Sequence, residues 1–329
     1  MAVPQIQIDL QRPPAERWNA LHPYLDEGRQ LLAQYATDLG GIAQFHDMIG
    51  AYRDAYIEAD NVAELAAIAQ MIGASSDEVL VVNLYYDMIK FVLGCTAFAV
   101  DTDHGPLHAR NLDWWTDNAL LARSTVVVHM QGATAGPFHL VSWPGFIGAL
   151  SGVAPGRFAI SLNAVLSDEP PAFAPPITFV LRSVFETART FTEAVDRLMA
   201  AKIASDCLLL VTGTQLGEMV VVERTPTRDA VRHPNDGCLV VANDYLGLST
   251  SSTTAEAEQE LQRTSYGRFE RATALLAGHM PQSAADCFAV LTDPAVRMRI
   301  TVQHMVLSAT QGLVDVRLPA DQFSVNALP

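Results

Sequence analysis

Apolar positions in the first 94 residues recur mostly at intervals of three and four, which is the spacing of an amphipathic helix. The predicted helices cover residues 15–35, 42–56, 62–72 and 79–92. Ser75 and Glu78 form a capping-box pattern directly before the last and most apolar of them. We therefore expect a helical N-terminal segment over residues 1–94.

From Gly94 onward, short apolar runs alternate with turn sequences, a pattern typical of β-strands. The predicted strands cover residues 95–100, 106–112, 124–130, 138–143, 158–163, 208–212, 219–223, 238–242, 300–308 and 313–317, and further helices cover 177–188, 191–201, 256–277 and 283–291. The first two strands flank the turn sequence Asp101–Gly105, which predicts a β-hairpin. Because the strands cluster in hairpins, the pattern predicts an α+β fold in which helices stack outside antiparallel sheets.

The composition is that of a folded globular protein. Half of the 329 residues are hydrophobic and 17% are charged, so the chain can bury a large core. The formal net charge of −15 makes nucleic acid an unfavourable partner, because phosphate backbones repel it. No run approaches the ~18 apolar residues of a spanning helix, and residues 1–11 lack the pattern of a secretory signal. We therefore expect a soluble cytoplasmic protein without an integral membrane segment.

The four cysteines are Cys95, Cys207, Cys238 and Cys287, and none lies in a C-x-x-C pair. The sequence thus carries no zinc or redox motif, and we expect neither a metal nor a cofactor. Cys207, Cys238 and Cys287 each begin an apolar run, which is typical of buried core thiols. Cys95 differs because of its neighbours.

Cys95 begins the first hairpin strand directly after Gly94, and a turn centred on residues 103–104 brings Arg110 and Asp113 close to it on the next strand. A guanidinium beside a thiol favours the nucleophilic thiolate. If the bond before Cys95 is cut, the new α-amine, whose ordinary pKa is ~8, can serve as a general base that Asp113 orients. The same residues also suit a buried cysteine beside a plain ion pair, and spacing alone leaves both interpretations open.

Motifs along nearly the whole chain match one known group of enzymes. They include Val82-Asn83-Leu84-Tyr85-Tyr86, Gly94-Cys95-Thr96-Ala97, His108-Ala109-Arg110-Asn111-Leu112-Asp113, Pro144-Gly145-Phe146-Ile147-Gly148, Ser161-Leu162-Asn163 and Ala242-Asn243-Asp244-Tyr245. Together they resemble the acid ceramidase and N-acylethanolamine acid amidase family, and more distantly the bile salt hydrolases and penicillin V acylases. The resemblance implies a choloylglycine hydrolase-like N-terminal-nucleophile fold, an αββα sandwich of two stacked antiparallel sheets preceded by the helical segment.

The resemblance also implies that the chain is a zymogen that cuts itself between Gly94 and Cys95. Residues 1–94 would become a small subunit that stays associated with a catalytic domain of residues 95–329. The freed Cys95 would hydrolyse linear N-acyl amides such as N-acylethanolamines or ceramide-like lipids. The expected partner is therefore a small-molecule N-acyl amide substrate, and contact with lipid aggregates is left open.

Roles at the predicted site follow from the same resemblance. Cys95 is the nucleophile, and its α-amine is the general base. Asp113 orients that amine, while Arg110 tunes the thiol and contacts the substrate. Asn243 donates a hydrogen bond to the tetrahedral oxyanion.

Three further positions complete the expected site. Asn163 occupies the place of a polar active-site residue in the family, although Ala164 follows it where mammalian members carry an acidic residue. An arginine at the start of the helix after Asn243 is expected near the nucleophile, and the choice between Arg263 and Arg268 stays open. The apolar residues of 79–92 and 143–150 would form an acyl-binding groove or belong to the core.

Other functions stay open at this point. The same chemistry could act on a polar substrate, such as penicillin V, a bile-salt conjugate or an N-acyl amino acid. Acyl transfer could replace hydrolysis, because a thioester intermediate accepts amines. A non-catalytic lipid-binding homologue is the remaining alternative, and it predicts no cleavage before Cys95.

Overall fold

Two β-sheets lie face to face in the structure, a computed structural model that describes residues 3–88, 93–114, 116–249 and 256–323. The described strands are β1 (Gln5–Asp9), β2 (Leu93–Val100), β3 (Leu107–Trp114), β4 (Val126–Gln131), β5 (Phe138–Ser142), β6 (Ser151–Ala154), β7 (Phe158–Asn163), β8 (Cys207–Thr212), β9 (Met219–Arg224), β10 (Asp229–Arg232), β11 (Cys238–Val241), β12 (Thr301–Ser308) and β13 (Leu313–Arg317). The first sheet has the order β1-β4-β5-β6-β7-β8-β9-β10 and the second has the order β11-β2-β3-β12-β13.

Helices cover the outer faces of both sheets. The described α-helices are α1 (Pro14–Arg17), α2 (Leu25–Asp38), α3 (His46–Tyr56), α4 (Ala59–Ile72), α5 (Ser76–Asn83), α6 (Tyr85–Met88), α7 (Leu120–Arg123), α8 (Ile177–Thr187), α9 (Phe191–Ala200), α10 (Glu256–Gly278) and α11 (Ala284–Leu291). Helix α8 packs on the larger sheet, where Phe185 stacks on Phe138 and Phe158. Helices α10 and α11 pack on the smaller sheet. The predicted α+β sandwich is therefore confirmed.

The N-terminal segment, which was expected to be mostly helical, also contributes a strand that the sequence did not predict. Strand β1 pairs in parallel with β4, so the larger sheet is mixed and not wholly antiparallel. Its residues alternate between exposed and buried, with Ile6 and Ile8 turned into the core. Five residues with a period of two are a weak signal beside long helical runs, and the pairing partner lies more than 100 residues away along the chain.

Several other elements differ from the sequence prediction in their bounds or were not predicted. The predicted helix over 15–35 is broken by the 3₁₀ helix Trp18–Tyr24, which contains Pro23 and its missing N–H. Short strands β6 and β10 were missed. The capping box at Ser75 is confirmed and begins α5, but that helix ends at Asn83, and residues 89–92 lie outside the described residues.

The predicted hairpin of β2 and β3 positions the site. Its antiparallel register pairs Cys95 with Leu112 and Gly94 with Asp113, which brings Arg110 and Asp113 close to Cys95 as predicted. Strand β2 is flanked by β3 and β11 and faces β7 and β8 of the other sheet. Cys95 therefore begins a strand inside the sandwich, where residues of both sheets reach it.

Within the described part of the chain, no single helix is long and apolar enough to cross a membrane, although the pair α4 and α5, bent by 112°, passes the test of length and composition together.

Candidate active site

A buried guanidinium contacts the sulfur of Cys95. Arg110 Nη2 donates to Cys95 Sγ at 3.2 Å, and the cysteine is 2% exposed. The opposite sheet holds the arginine in place, because its other donors reach the carbonyl oxygens of Leu150 and Leu162 and the hydroxyl of Ser151. A cation in contact with sulfur stabilises the negative charge that a thiolate carries.

The backbone nitrogen of Cys95 donates to Asn243 Oδ1 at 3.0 Å. Arg268 Nη2 donates to the same oxygen at 2.7 Å, and Asn243 Nδ2 donates to the carbonyl oxygen of Ala164 at 2.7 Å. Two donors meet on one side of the amide and an acceptor lies on the other, so the orientation of the amide is fixed. In this structure Asn243 thus accepts from the Cys95 N–H, and its role as an oxyanion donor stays a prediction.

Of the two candidate arginines, Arg268 is the one that the structure places at Cys95. Its Nη1 donates to the carbonyl oxygen of Cys95 at 2.5 Å and to Thr96 Oγ1 at 2.6 Å. Burial lowers the pKa of Arg268, although the charges of Asp113, Cys95 and Asp244 raise it. The side chain of Arg263, the other arginine considered, lies outside the described residues.

Asp113 lies across the hairpin from Gly94, and one of its carboxylate oxygens is free. Oδ1 accepts from Thr301 Oγ1 at 2.5 Å, whereas the buried Oδ2 has no hydrogen-bond partner among the described residues. A methyl group added at Gly94 would lie 3.4 Å from that oxygen and 2.7 Å from Met298 Sδ. Burial raises the pKa of Asp113, and the Thr301 hydrogen bond and nearby arginines, chiefly Arg268, lower it only in part. Asp113 Oδ2 is therefore an acceptor close to Gly94 that the hydrogen bonds of the described residues leave unused.

Asn163 lies at the end of β7 and joins it to the loop that carries Asn243. Its Nδ2 donates to the carbonyl oxygens of Val241 and Ala242 at 3.3 Å and 2.9 Å. Its Oδ1 is buried and has no hydrogen-bond partner among the described residues. Asn163 therefore belongs to the same polar cluster, with one acceptor left free.

Thr301 and Ser151 were missed by the sequence analysis although each touches a predicted site residue. Thr301 is 188 residues from Asp113 along the chain, and Ser151 is 41 residues from Arg110. Ser151 begins β6 and Thr301 begins β12. The hydroxyl of each contacts the β2–β3 hairpin only once the strands have assembled into sheets. A threonine or serine at a strand start carries no local signal for such a contact.

An apolar groove lies beside the polar cluster. Its lining comes from the N-terminal segment and from the loop after β5: Gly28, Leu31, Leu32, Tyr35, Ile72, Val79, Val82, Tyr85, Tyr86, Trp114, Trp143, Pro144, Gly145, Phe146 and Leu150. Trp114 stacks on Tyr85 with ring centroids 5.4 Å apart and meets Trp143 at 5.9 Å. Leu150 joins the groove to the thiol, since its carbonyl oxygen accepts from Arg110 at 3.1 Å. Residues of both predicted groove segments, 79–92 and 143–150, thus share one surface.

Among the described residues, no group of three or more histidine, cysteine, aspartate or glutamate side chains could hold a metal ion.

Comparison with known proteins identifies a matching family and several similar proteins. A family model described as acyl-coenzyme A:6-aminopenicillanic acid acyl-transferase matches residues 100–304, which is more than half of the chain. N-acylethanolamine-hydrolyzing acid amidase of Caenorhabditis elegans is 26% identical over 275 residues, covering 74% of this chain and 73% of that protein. Acid ceramidase of Mus musculus is 26% identical over 258 residues, covering 68% of this chain and 64% of that protein. The chain thus spans less than two thirds of that ceramidase.

A solved structure resembles the fold. The Caenorhabditis elegans N-acylethanolamine-hydrolyzing acid amidase ortholog superposes with a TM-score of 0.53 and 25% sequence identity. The superposition covers 70% of this chain and 97% of that chain. The stacked sheets described above are therefore those of an N-terminal-nucleophile hydrolase fold.

Proposed function

Because the chain belongs to the acyl-coenzyme A:6-aminopenicillanic acid acyl-transferase family, we propose that it is an N-acyl amide hydrolase with Cys95 as its nucleophile. The observation that carries this proposal is the 3.2 Å contact between Arg110 Nη2 and Cys95 Sγ at the head of a buried strand. Of the other cysteines, Cys207 and Cys287 lie in hydrophobic clusters, and the Cys238 thiol donates to the carbonyl oxygen of Asn235.

We propose self-cleavage as the first reaction of this site. Cys95 Sγ attacks the carbonyl carbon of Gly94, the C–N bond breaks, and the acyl group moves to sulfur while the nitrogen gains a proton. Water then splits the thioester, which leaves a carboxylate on Gly94 and restores the thiol. The free Oδ2 of Asp113 beside Gly94 supports this step, because it offers an acceptor that the new α-ammonium would need.

Amide hydrolysis would use the same atoms. The α-amine of Cys95 takes the thiol proton, the sulfur attacks the amide carbonyl, and the resulting ammonium protonates the leaving amine. Water then hydrolyses the thioester, which releases a fatty acid and the thiol. The apolar groove, whose lining includes Leu150, would hold the acyl chain, which favours lipid amides of the N-acylethanolamine or ceramide type.

Acyl transfer is the second candidate function, because the matching family is described as an acyl-transferase. In that reaction an amine takes the acyl group from the thioester in place of water. Adding 6-aminopenicillanic acid to the assay distinguishes the two, since transfer yields an acylated amine and hydrolysis yields only the free acid.

Cys95→Ala should keep the chain whole under conditions in which the wild type divides. Intact-mass measurement after incubation from about pH 4 to 8, the range in which carboxyl and α-amino groups titrate, should give fragments 1–94 and 95–329 for the wild type alone. The cleaved sample should then release fatty acid from N-dodecanoylethanolamine. A wild type that neither divides nor forms an acyl adduct on Cys95 would favour the non-catalytic lipid-binding alternative.

Thr301→Val should move the acid limb of the self-cleavage rate to higher pH. Burial raises the pKa of Asp113 and the Thr301 hydroxyl lowers it, so removing the hydroxyl raises that pKa further. More of the carboxyl is then protonated at a given acidic pH, and a reaction that needs the carboxylate slows there. Thr301→Ser, which keeps a hydroxyl, is the matched control. An equal loss of rate at every pH would instead indicate damage to the fold.

A further inference from the structure

The groove-lining loop over residues 144–150 is held by a side chain of the N-terminal segment. Asn83, at the end of α5, accepts at Oδ1 from the Ile147 N–H at 2.9 Å and donates from Nδ2 to the Gly145 carbonyl oxygen at 3.0 Å. From the other side, Arg182 donates to the Ile147 carbonyl oxygen at 3.1 Å. Both peptide groups that flank the Ile147 side chain are therefore fixed by side chains from outside the loop.

The orientation of the Asn83 amide is set by its surroundings. Asn83 is 1% exposed, and its Nδ2 also donates to the Val79 carbonyl oxygen at 2.9 Å. The amide thus meets one N–H and two carbonyl groups, a set that an amide satisfies and a carboxylate or an apolar side chain does not. Gly145 has a φ of 91°, which side-chain-bearing residues rarely adopt, so the loop depends on glycine and on Asn83 for its shape.

The end of the loop nearest the thiol has separate supports. The carbonyl oxygen of Leu150 accepts from the Leu162 N–H at 2.9 Å and from Arg110 Nη1 at 3.1 Å. A disturbance at residues 145–147 therefore reaches the groove wall formed by Phe146 before it reaches the reacting atoms. Residues 145–147, which Asn83 holds, therefore shape the acyl site, and Leu150, which Arg110 and Leu162 hold, lies next to the surroundings of Cys95.

We propose that Asn83 is a specificity-determining positioning residue, through which the N-terminal segment shapes the acyl-binding groove after cleavage as well as before it. This proposal rests on the proposed amide hydrolase function. It implies that the segment is a working part of the substrate site and that Asn83 acts on long acyl chains, which extend along the loop. Short acyl groups, which stay near Cys95, are unaffected.

The test compares Asn83→Leu with Asn61→Leu, a change to an asparagine of α4 outside the groove lining. For Asn83→Leu, kcat/KM for N-dodecanoylethanolamine should fall about 10- to 100-fold, as displaced positioning groups typically cause, while N-butanoylethanolamine keeps its wild-type value. Asn83→Asp keeps the acceptor for the Ile147 N–H but loses the hydrogen bonds donated to Val79 and Gly145. Its kcat/KM for N-dodecanoylethanolamine should lie between those of the wild type and Asn83→Leu. Equal losses for both substrates, or no loss for either, would overturn the proposal.

A binding measurement keeps the proposal separate from the proposed function. Calorimetry of N-dodecanoylethanolamine on Cys95→Ala and on the Cys95→Ala/Asn83→Leu double variant should show about tenfold weaker binding for the second, which corresponds to one decade of affinity. If the wild type hydrolyses no amide, the proposed function fails, and this binding difference still decides the role of Asn83. Equal affinities would refute that role.

Discussion

Asp113→Asn should leave the chain folded yet slow self-cleavage and amide hydrolysis about 10²-fold, because the α-amine of Cys95 loses the carboxylate that orients it. The asparagine keeps the shape of the side chain and still accepts from Thr301, so the hairpin loses no packing. What disappears is the charge of a carboxylate that lies beside Gly94. Intact-mass time courses at several pH values, together with thermal unfolding of both proteins, measure the rate and the fold separately.

Asp244→Asn is the matched control for that experiment. Asp244 is partly buried near Arg268, whereas Asp113 is fully buried, and burial raises the pKa of both. Its Oδ2 already accepts from Ser265 Oγ at 2.5 Å and so has a structural partner. Removing this second carboxylate should slow cleavage far less than removing the first. Equal effects would mean that the charge near Arg268, and not the free oxygen beside Gly94, controls the reaction.

The hairpin around Cys95 could be predicted because its information is local. A turn sequence sits between two β-favouring runs, and counting back from it gives the register that pairs Cys95 with Leu112. Arg110 could be placed near the thiol for the same reason. Strand β1 could not be predicted in this way, because its five-residue alternation is too short to indicate a strand by itself and its parallel partner β4 is distant in the chain.

The second half of the site depends on contacts that no local pattern records. Sequence motifs could bring Asn243 and two arginines into consideration, but the choice of Arg268 came from its hydrogen bonds to the Cys95 carbonyl oxygen and to Asn243. The orientation of the Asn243 amide likewise follows from its partners. Thr301 contacts Asp113 only because β12 lies beside β3 in the assembled sheet. Such contacts depend on which strands become neighbours in the sheet, and the spacing of apolar residues along the chain does not determine that order.

The N-terminal segment is joined to the rest of the molecule by a buried ion network. Glu64 of α4 is fully buried and accepts from Arg17 Nη1 and Trp18 Nε1 at 2.7 Å. It also accepts from two nitrogens of Arg182 on α8, at 2.5 Å and 2.8 Å. Burial by itself raises the pKa of Glu64, but Arg182, Arg17 and Trp18 together lower it below its ordinary value. The carboxylate is therefore charged in the folded protein and neutralised by its neighbours.

Glu64→Ala should lower the free energy of unfolding by about 3–5 kcal/mol, because it leaves Arg182 buried without its main counter-charge. Urea denaturation measures the loss, and Asp60→Asn, which removes an exposed partner of Arg17, should cost no more than about 1 kcal/mol. A Glu64→Leu/Arg182→Met double variant should recover part of the stability, since the two buried charges are removed together, whereas Glu186 loses Arg182 and Trp18 Nε1 loses its acceptor.

The loss of unfolding free energy caused by Glu64→Ala should also depend on pH, and its direction follows from the pKa shift of Glu64. A carboxyl whose pKa is lowered by folding adds stability above its unfolded pKa of ~4.3 and loses that contribution as the pH falls through its folded pKa. The difference between wild type and Glu64→Ala should therefore be largest near neutrality and shrink in acid. If the proposed cleavage occurs, this network adds to the β1–β4 pairing and the shared core that hold residues 1–94 to the rest of the molecule, so Glu64→Ala should weaken that association on gel filtration. A difference in stability that stays constant down to acid pH would show that Glu64 acts by packing and not by charge.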